Sequence, residues 1–220
     1  MKILSVDVDW LQPGSRYHLK ELNRLFFAKC AKAKQIVFGR YHHQVLQIPE
    51  VLDSNEIILH NIDHHHDFFY EEWQEQQISQ GIATHAIWIG NLIHDRKVSE
   101  CYWYYNINSD LIRPENFIAQ CMDQRIPNVK FAIEENLDEA WKLDYDLIFV
   151  ARSAETLDSS LFCVYDTYVD YCQEKYNSKT TIARIYPDLP NTPIIPASDT
   201  PDTILIALAI SLNLNFMISI

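Results

Sequence analysis

Two short stretches concentrate groups able to bind protons or cations. SVDVDW at 5–10 places Asp7 and Asp9 two apart at the end of an apolar run. NIDHHHDFFY at 61–70 sets His64, His65 and His66 between Asp63 and Asp67, directly after the apolar EIILHNI. Residues two apart in an extended chain share one face. Asp7 and Asp9 therefore read as neighbours, and Asp63, His65 and Asp67 as a second set, with His64 and His66 turned the other way. Carboxylates crowded at a buried strand end repel each other unless a proton or a cation sits between them. With His42, preferred over His43, one edge offers four carboxylates and two imidazoles. A structural zinc takes four ligands, often with thiolate. Carboxylate and imidazole without thiolate suit manganese or a similar hard to borderline ion. Bridging carboxylates would let the set hold two ions roughly 3.5–4 Å apart.

The elements that must position these groups alternate along the chain. Apolar runs predict strands at 2–8, 35–39, 56–62, 85–90, 101–105, 129–133 and 145–151. Helical spacing predicts helices at about 18–33, 43–53, 69–80, 115–123 and 158–175, the last with a core stripe of Leu161, Val164, Tyr165, Tyr168, Val169 and Cys172. Strands alternating with helices give an α/β fold, a mostly parallel sheet of about seven or eight strands covered on both faces. The chain is read as a single domain over 1–220. Chemistry in such sheets gathers at the carboxyl ends of strands. There the expected polar groups are Asp7 and Asp9, then Tyr41 and His42, then Asp63 to Asp67, then Asn91 and His94, then Asn106 and Asn108, then Arg152, Ser153 and Glu155. His85, at the start of its expected strand, belongs to the opposite edge. The proline-rich 186–201 is read as a wrapping loop or a lid.

Composition narrows the function. Eighteen basic against thirty acidic residues give a net charge of −12, which argues against nucleic-acid binding and favours cationic partners, although plain solubility is the commoner reason for such a charge. Four glycines and the lack of a phosphate-loop or dinucleotide fingerprint argue against a nucleotide site. Five cysteines without C-x-x-C spacing read as reduced thiols of a cytoplasmic protein. The N-terminus reads as a strand and not a signal peptide. The apolar C-terminal run, interrupted by Asn213 and Asn215, reads as a buried helix and strand and not a membrane span.

The motifs resemble a known family. SVDVDWLQP resembles the arginase and agmatinase signature S-x-D-x-D-x-x-D-P, with Gln12 in place of the last aspartate. IDHHHD resembles the companion signature D-A-H-x-D, with His64 in place of alanine. GRYHHQVL, EEWQ and HAIWIGN further resemble the small arginase-like proteins that include the peptide arginases, which convert arginine residues of ribosomal peptides to ornithine. The likeness covers roughly residues 1–10, 38–92 and 146–157. It implies a three-layer arginase-like fold with two Mn2+ ions. Asp63 and Asp7 would bridge the ions, His42 and Asp67 would complete one site, and His65 and Asp9 the other. Glu155, in ARSAET, resembles the carboxylate that receives the guanidinium. Three features depart from the family. The D-x-D strand comes first, a permuted motif order. The histidine that moves protons has no clear counterpart, His94 being the candidate. The loop that grips the α-groups of a free amino acid is not recognisable.

The implied function is manganese-dependent hydrolysis of arginine residues in a precursor peptide, giving ornithine and urea. Glu155 and Asn91 would contact the substrate, and Glu155, His94 and Asp67 would serve the chemistry. Trp10, Phe68, Phe69, Tyr70 and Trp73 could line a peptide groove, though such residues more often build the core. The alternatives are a ureohydrolase for free arginine or agmatine, a metal-dependent deacetylase on a related fold, and a non-catalytic metal-binding protein. Oligomeric state is not legible.

Overall fold

The computed structural model describes residues 1–11, 16–68, 72–106, 129–134, 136–153, 161–176 and 181–184. Seven strands, β1 (Lys2–Asp7), β2 (Gln35–Gly39), β3 (Ile57–Ile62), β4 (Val98–Tyr104), β5 (Lys130–Glu134), β6 (Leu147–Ala151) and β7 (Thr181–Arg184), form one sheet in the order β5-β4-β3-β1-β6-β2-β7. Every neighbouring pair is parallel. The helices are α1 (Arg16–Cys30), α2 (Pro49–Asp53), α3 (Glu72–Ser79), α4 (Trp88–His94), α5 (Asp138–Trp141) and α6 (Phe162–Tyr176).

Handedness explains where the helices lie. Parallel strands joined by right-handed crossovers put the connection on one face when the chain moves one way along the sheet, and on the other when it moves back. The steps β1 to β2, β5 to β6 and β6 to β7 all run toward the β7 side, and α1, α5 and α6 pack on one face, around Phe26, Phe38, Val150 and Tyr165. The steps β2 to β3 and β3 to β4 run the other way, and α2 and α4 pack on the opposite face, around Ile3, Leu59, Trp88 and Phe149. Two apolar cores sandwich the sheet, so β6 (LIFVA) is buried at every position.

Register levels the strand ends that matter. Val6 pairs with Ile62, Asp7 with Ala151, and Gly39 with Ala151. The next residues of β1, β2, β3 and β6 therefore emerge at one height. Between β1 and β3 the connections depart to opposite faces, which opens the crevice where ligands of such sheets bind.

Several expectations need correction. The run 85–90 is not a strand: Thr84 to Ile87 form a turn that leads into α4. All of Trp88–Ile93 is buried, so the sequence shows a continuous apolar run that periodicity cannot assign. His85 is exposed in that turn and starts no strand. The helix expected at 43–53 divides into a 3-10 turn, His42–Gln47, and α2, because Ile48 is extended before Pro49. β7 and α5 were not foreseen in the pattern. The helix expected at 115–123, the 186–201 segment and the apolar C-terminal run lie outside the described residues. Among the described residues, no helix is long and apolar enough to cross a membrane, and Cys30, Cys101, Cys163 and Cys172 are free thiols.

Candidate metal centre

The six expected ligands meet at the carboxyl edge. Asp7, Asp9, His42, Asp63 and Asp67 are buried, and His65 is half-buried. Their approach is made by turns and not by the pleat. β1 ends at Asp7, and Val8–Leu11 is a single 3-10 turn whose Asp9 N–H donates to Asp7 Oδ1 at 3.0 Å. After β3, the His65 N–H donates to Asp63 Oδ1 at 2.9 Å, and Asp67 takes a left-handed φ of 54°. Aspartate tolerates that region better than most residues. His64 is half-buried, and His66 turns inward, where its Nδ1 accepts the Phe68 N–H and its ring meets Trp103 edge-on. Burial, then the nearby charge of His65, lowers His66 to about 3, so that ring is neutral.

Around His42 three carboxylates crowd one ring nitrogen. Its Nδ1 lies 3.0 Å from Asp63 Oδ2, 3.0 Å from Asp67 Oδ2 and 3.3 Å from Asp7 Oδ2. One N–H cannot serve three carboxylates. Donor atoms held on one cation at bonds of about 2.1 Å stand about 3.0 Å apart at right angles and about 3.4 Å apart tetrahedrally. The three spacings from Nδ1 fall in that range. Asp7, His42 and Asp63 form one group able to hold a metal ion; Asp9, Asp63 and His65 form a second, and Asp63 belongs to both. In the second group His65 Nδ1 lies 3.2 Å from Asp9 Oδ2 and 3.8 Å from Asp63 Oδ1.

The electrostatics carry the same message. Burial, followed by Asp9, raises Asp7 well above the usual carboxylate range; burial and then Asp63 raise Asp9; burial and then Asp67 raise Asp63. Burial opposes the charging of His42, but Asp63 and Asp7 outweigh it and hold the ring protonated. His65 likewise rises against burial to about 10, through its hydrogen bond to Asp9 and the charge of Asp63. Without a metal, protons on the imidazoles supply the positive charge that the carboxylates demand. A divalent cation would replace them.

Three groups support these residues; Ser153 was expected at this edge, whereas the roles of Ser5 and Trp88 escaped the sequence reading. Ser5 Oγ and His42 Nε2 share a hydrogen bond of 2.8 Å. The signal was available, since Ser5 stands two before Asp7 on the same strand face. The Ser153 hydroxyl donates to Asp7 Oδ2, and Trp88 Nε1–H donates to Asp67 Oδ2 at 2.6 Å. Such outer partners fix ligand orientation.

Other expected site residues fall elsewhere. His94 ends α4, whose start contacts the Asp67 loop. At 1.5 Å per residue it sits about 9 Å farther along the helix, toward the opposite edge. It is more than half exposed beside Asp95. The strand expected at 85–90 would have delivered it to the site; the helix carries it away. Asn91 Nδ2 donates to the Ile82 and Ile87 carbonyls at 3.3 and 3.0 Å, clamping the turn before α4 instead of facing the crevice. Trp10 and Phe68 are core residues, Trp73 is 56% exposed, and Asn106 Nδ2 donates to the Trp10 carbonyl. Glu155, Phe69, Tyr70 and Asn108 lie outside the described residues.

The fold and the cluster define an α/β protein with a buried acid–imidazole centre able to hold metal at the crevice of a parallel sheet. The chain matches no protein-family model, no curated protein and no solved structure.

Proposed function

We propose that the chain is a binuclear manganese hydrolase of the arginase type, in a permuted three-layer form of that fold, acting on arginine residues of a peptide. Water and the guanidinium carbon would give urea, and the side chain would be left as ornithine. The observation that carries the reading is Asp63, shared by two ligand groups, each completed by a different imidazole and a different carboxylate. A one-metal deacetylase has no use for the second group. Oxygen and nitrogen donors without thiolate suit manganese.

His42, Asp7, Asp63 and Asp67 would hold one ion, and His65, Asp9 and Asp63 the other. Two such cations, when bound, supply Lewis acidity and an ionised water near neutral pH. The chain's residues do the rest. Ser5, Ser153 and Trp88 keep the ligand atoms aimed. The four buried carboxylates favour a guanidinium at the crevice, and Glu155 would pair with it through charge-assisted hydrogen bonds. Asp67 would take part in moving the proton to the departing amine.

The test is urea release by the manganese-loaded chain from an arginine peptide blocked at both ends, against free arginine and agmatine. Urea from the blocked peptide supports the reading. Urea from free arginine or agmatine alone replaces it with a small-molecule ureohydrolase. Two bound metal ions with no urea from any of the three overturns the guanidinium chemistry.

A further inference from the structure

Two guanidiniums stand side by side at the same edge, and nothing in the proposed hydrolysis uses them. Arg40 follows β2 and Arg152 follows β6. The ladder between these strands continues past Gly39 and Ala151, since Arg152 N–H donates to the Gly39 carbonyl and Ser153 N–H to the Arg40 carbonyl, both at 3.0 Å. Arg40 and Arg152 are therefore register neighbours on adjacent parallel strands, with Cα atoms about 4.8 Å apart. The pleat sends both side chains to the face of Phe38 and Val150, where α6 packs. The Arg152 guanidinium lies 4.0 Å from the centre of the Phe162 ring, at the start of α6. The Arg40 guanidinium lies 5.1 Å from the Tyr41 ring.

Among the described residues neither is neutralised: neither arginine forms an ion pair, and the Nε of each is buried without a hydrogen-bond partner. This is unexpected in a chain with thirty acidic residues and a net charge of −12. The acid cluster does not absorb them either. The charges that bear most on Asp7, Asp9 and Asp63 are one another, Asp67, His42 and His65, and neither arginine is among them. They leave the same sheet edge as that cluster, on its other face: Arg152 precedes Ser153, which holds Asp7, and Arg40 is two residues from His42. Planar guanidiniums resting on aromatic rings are set to grip a carboxylate by paired N–H donors.

We infer that Arg40 and Arg152 form an anion subsite at the same sheet edge as the metal centre, and that the molecule processed there carries a carboxylate. This rests on the hydrolase reading for the substrate's other end, but not for the subsite itself. The carboxylate has two possible sources, the main-chain carboxylate of an arginine derivative or the side chain of an acidic residue next to arginine in a peptide.

Urea release is measured with the manganese-loaded chain on N-acetylarginine, its amide, and doubly blocked Arg-Asp and Arg-Asn peptides. A KM about 10- to 100-fold lower for the carboxylate member of a pair is expected. The pair that shows it identifies the source. R40Q and R152Q should erase the preference while leaving kcat on the amide unchanged, and R40K and R152K should restore part of it. Equal KM within both pairs overturns the subsite. If no substrate yields urea, the hydrolase reading fails and the subsite is judged by labelling. N-acetylarginine, but not its amide, should protect Arg40 and Arg152 from phenylglyoxal, read by peptide mass spectrometry. Equal protection by the two, or protection by inorganic phosphate alone, overturns it.

Discussion

The indole Nε1–H of Trp88 donates to Asp67 Oδ2 at 2.6 Å, and that same oxygen lies 3.0 Å from His42 Nδ1. A core tryptophan thus reaches the acid–imidazole cluster directly. α4 adds a second tie, since the Ile89 N–H donates to the Asp67 carbonyl at 3.0 Å. The helix fixes both the backbone and the carboxylate of a residue in left-handed conformation.

Trp88→Phe should therefore weaken metal binding without unfolding the chain. Phenylalanine keeps most of the buried side-chain volume and removes the donor together with part of the indole. Loss of an outer-shell partner typically costs about 10- to 100-fold in metal affinity. Manganese titration of the wild type and the variant, followed by calorimetry, checks this. Equal affinities would show that the indole bond does not orient Asp67.

Metal stoichiometry should separate the shared ligand from the unshared ones. Asp63 belongs to both ligand groups, while Asp9 belongs to one. Asp63→Asn should lose both ions and Asp9→Asn should lose one, measured by native mass spectrometry. Metal should also raise Tm in the wild type, because a ligand that binds only the folded state adds about 4 kcal/mol at a thousand times its Kd. Chelator should reverse the rise, and Asp63→Asn should show neither effect.

The residues of the cluster were legible because titratable residues at strand ends stand out against apolar runs. The reason given for their convergence was only partly right. Asp7 and Asp9 meet through a 3-10 turn, and Asp67 through a positive φ, where the sequence suggested an extended pleat. α4 was illegible because Trp88, Ile89, Leu92 and Ile93 are buried all round, which hides the helical period. That one misreading displaced Asn91 and His94 and concealed Trp88. Ser153 was expected at a strand end but its partner was not, since only the parallel register sets it beside Asp7.

Gly90 should prove indispensable to the Asp67 loop. A Cβ there would stand 2.3 Å from the Phe68 carbonyl oxygen and 2.5 Å from Ile78 Cδ1. The first contact is backbone, so it cannot swing aside. Gly90→Ala must push α4 off the loop that carries Asp67, at about 1–3 kcal/mol for overpacking. Alanine favours helix by about 1 kcal/mol over glycine, so the net change is destabilising by less than the clash alone. The expected result is a lower Tm together with weaker manganese binding. A Tm at or above that of the wild type would show that α4 packs more loosely than the contact implies.

A pH dependence should trace to His60, on the face of the sheet opposite α4. Its ring is buried among Tyr102, Tyr104 and Tyr145, with Nδ1 and the Tyr104 hydroxyl sharing a 2.6 Å hydrogen bond. Burial lowers it to about 4 from an unfolded value near 6.5. A depressed folded value means that the unfolded chain takes up the proton first as pH falls. The stability that neutral His60 contributes is complete above about 6.5 and drains away down to about 4. By pH 5 the loss reaches about 2 kcal/mol. The metal-site carboxylates and imidazoles titrate as well, so the comparison is a double difference. Denaturant unfolding of the chelated wild type and of His60→Phe is measured at pH 8 and pH 5. The wild type should lose about 2 kcal/mol more than the variant between the two. Equal losses would mean that His60 charges inside the fold, as it does in water, and that the tyrosine cage stabilises the imidazolium instead of excluding it.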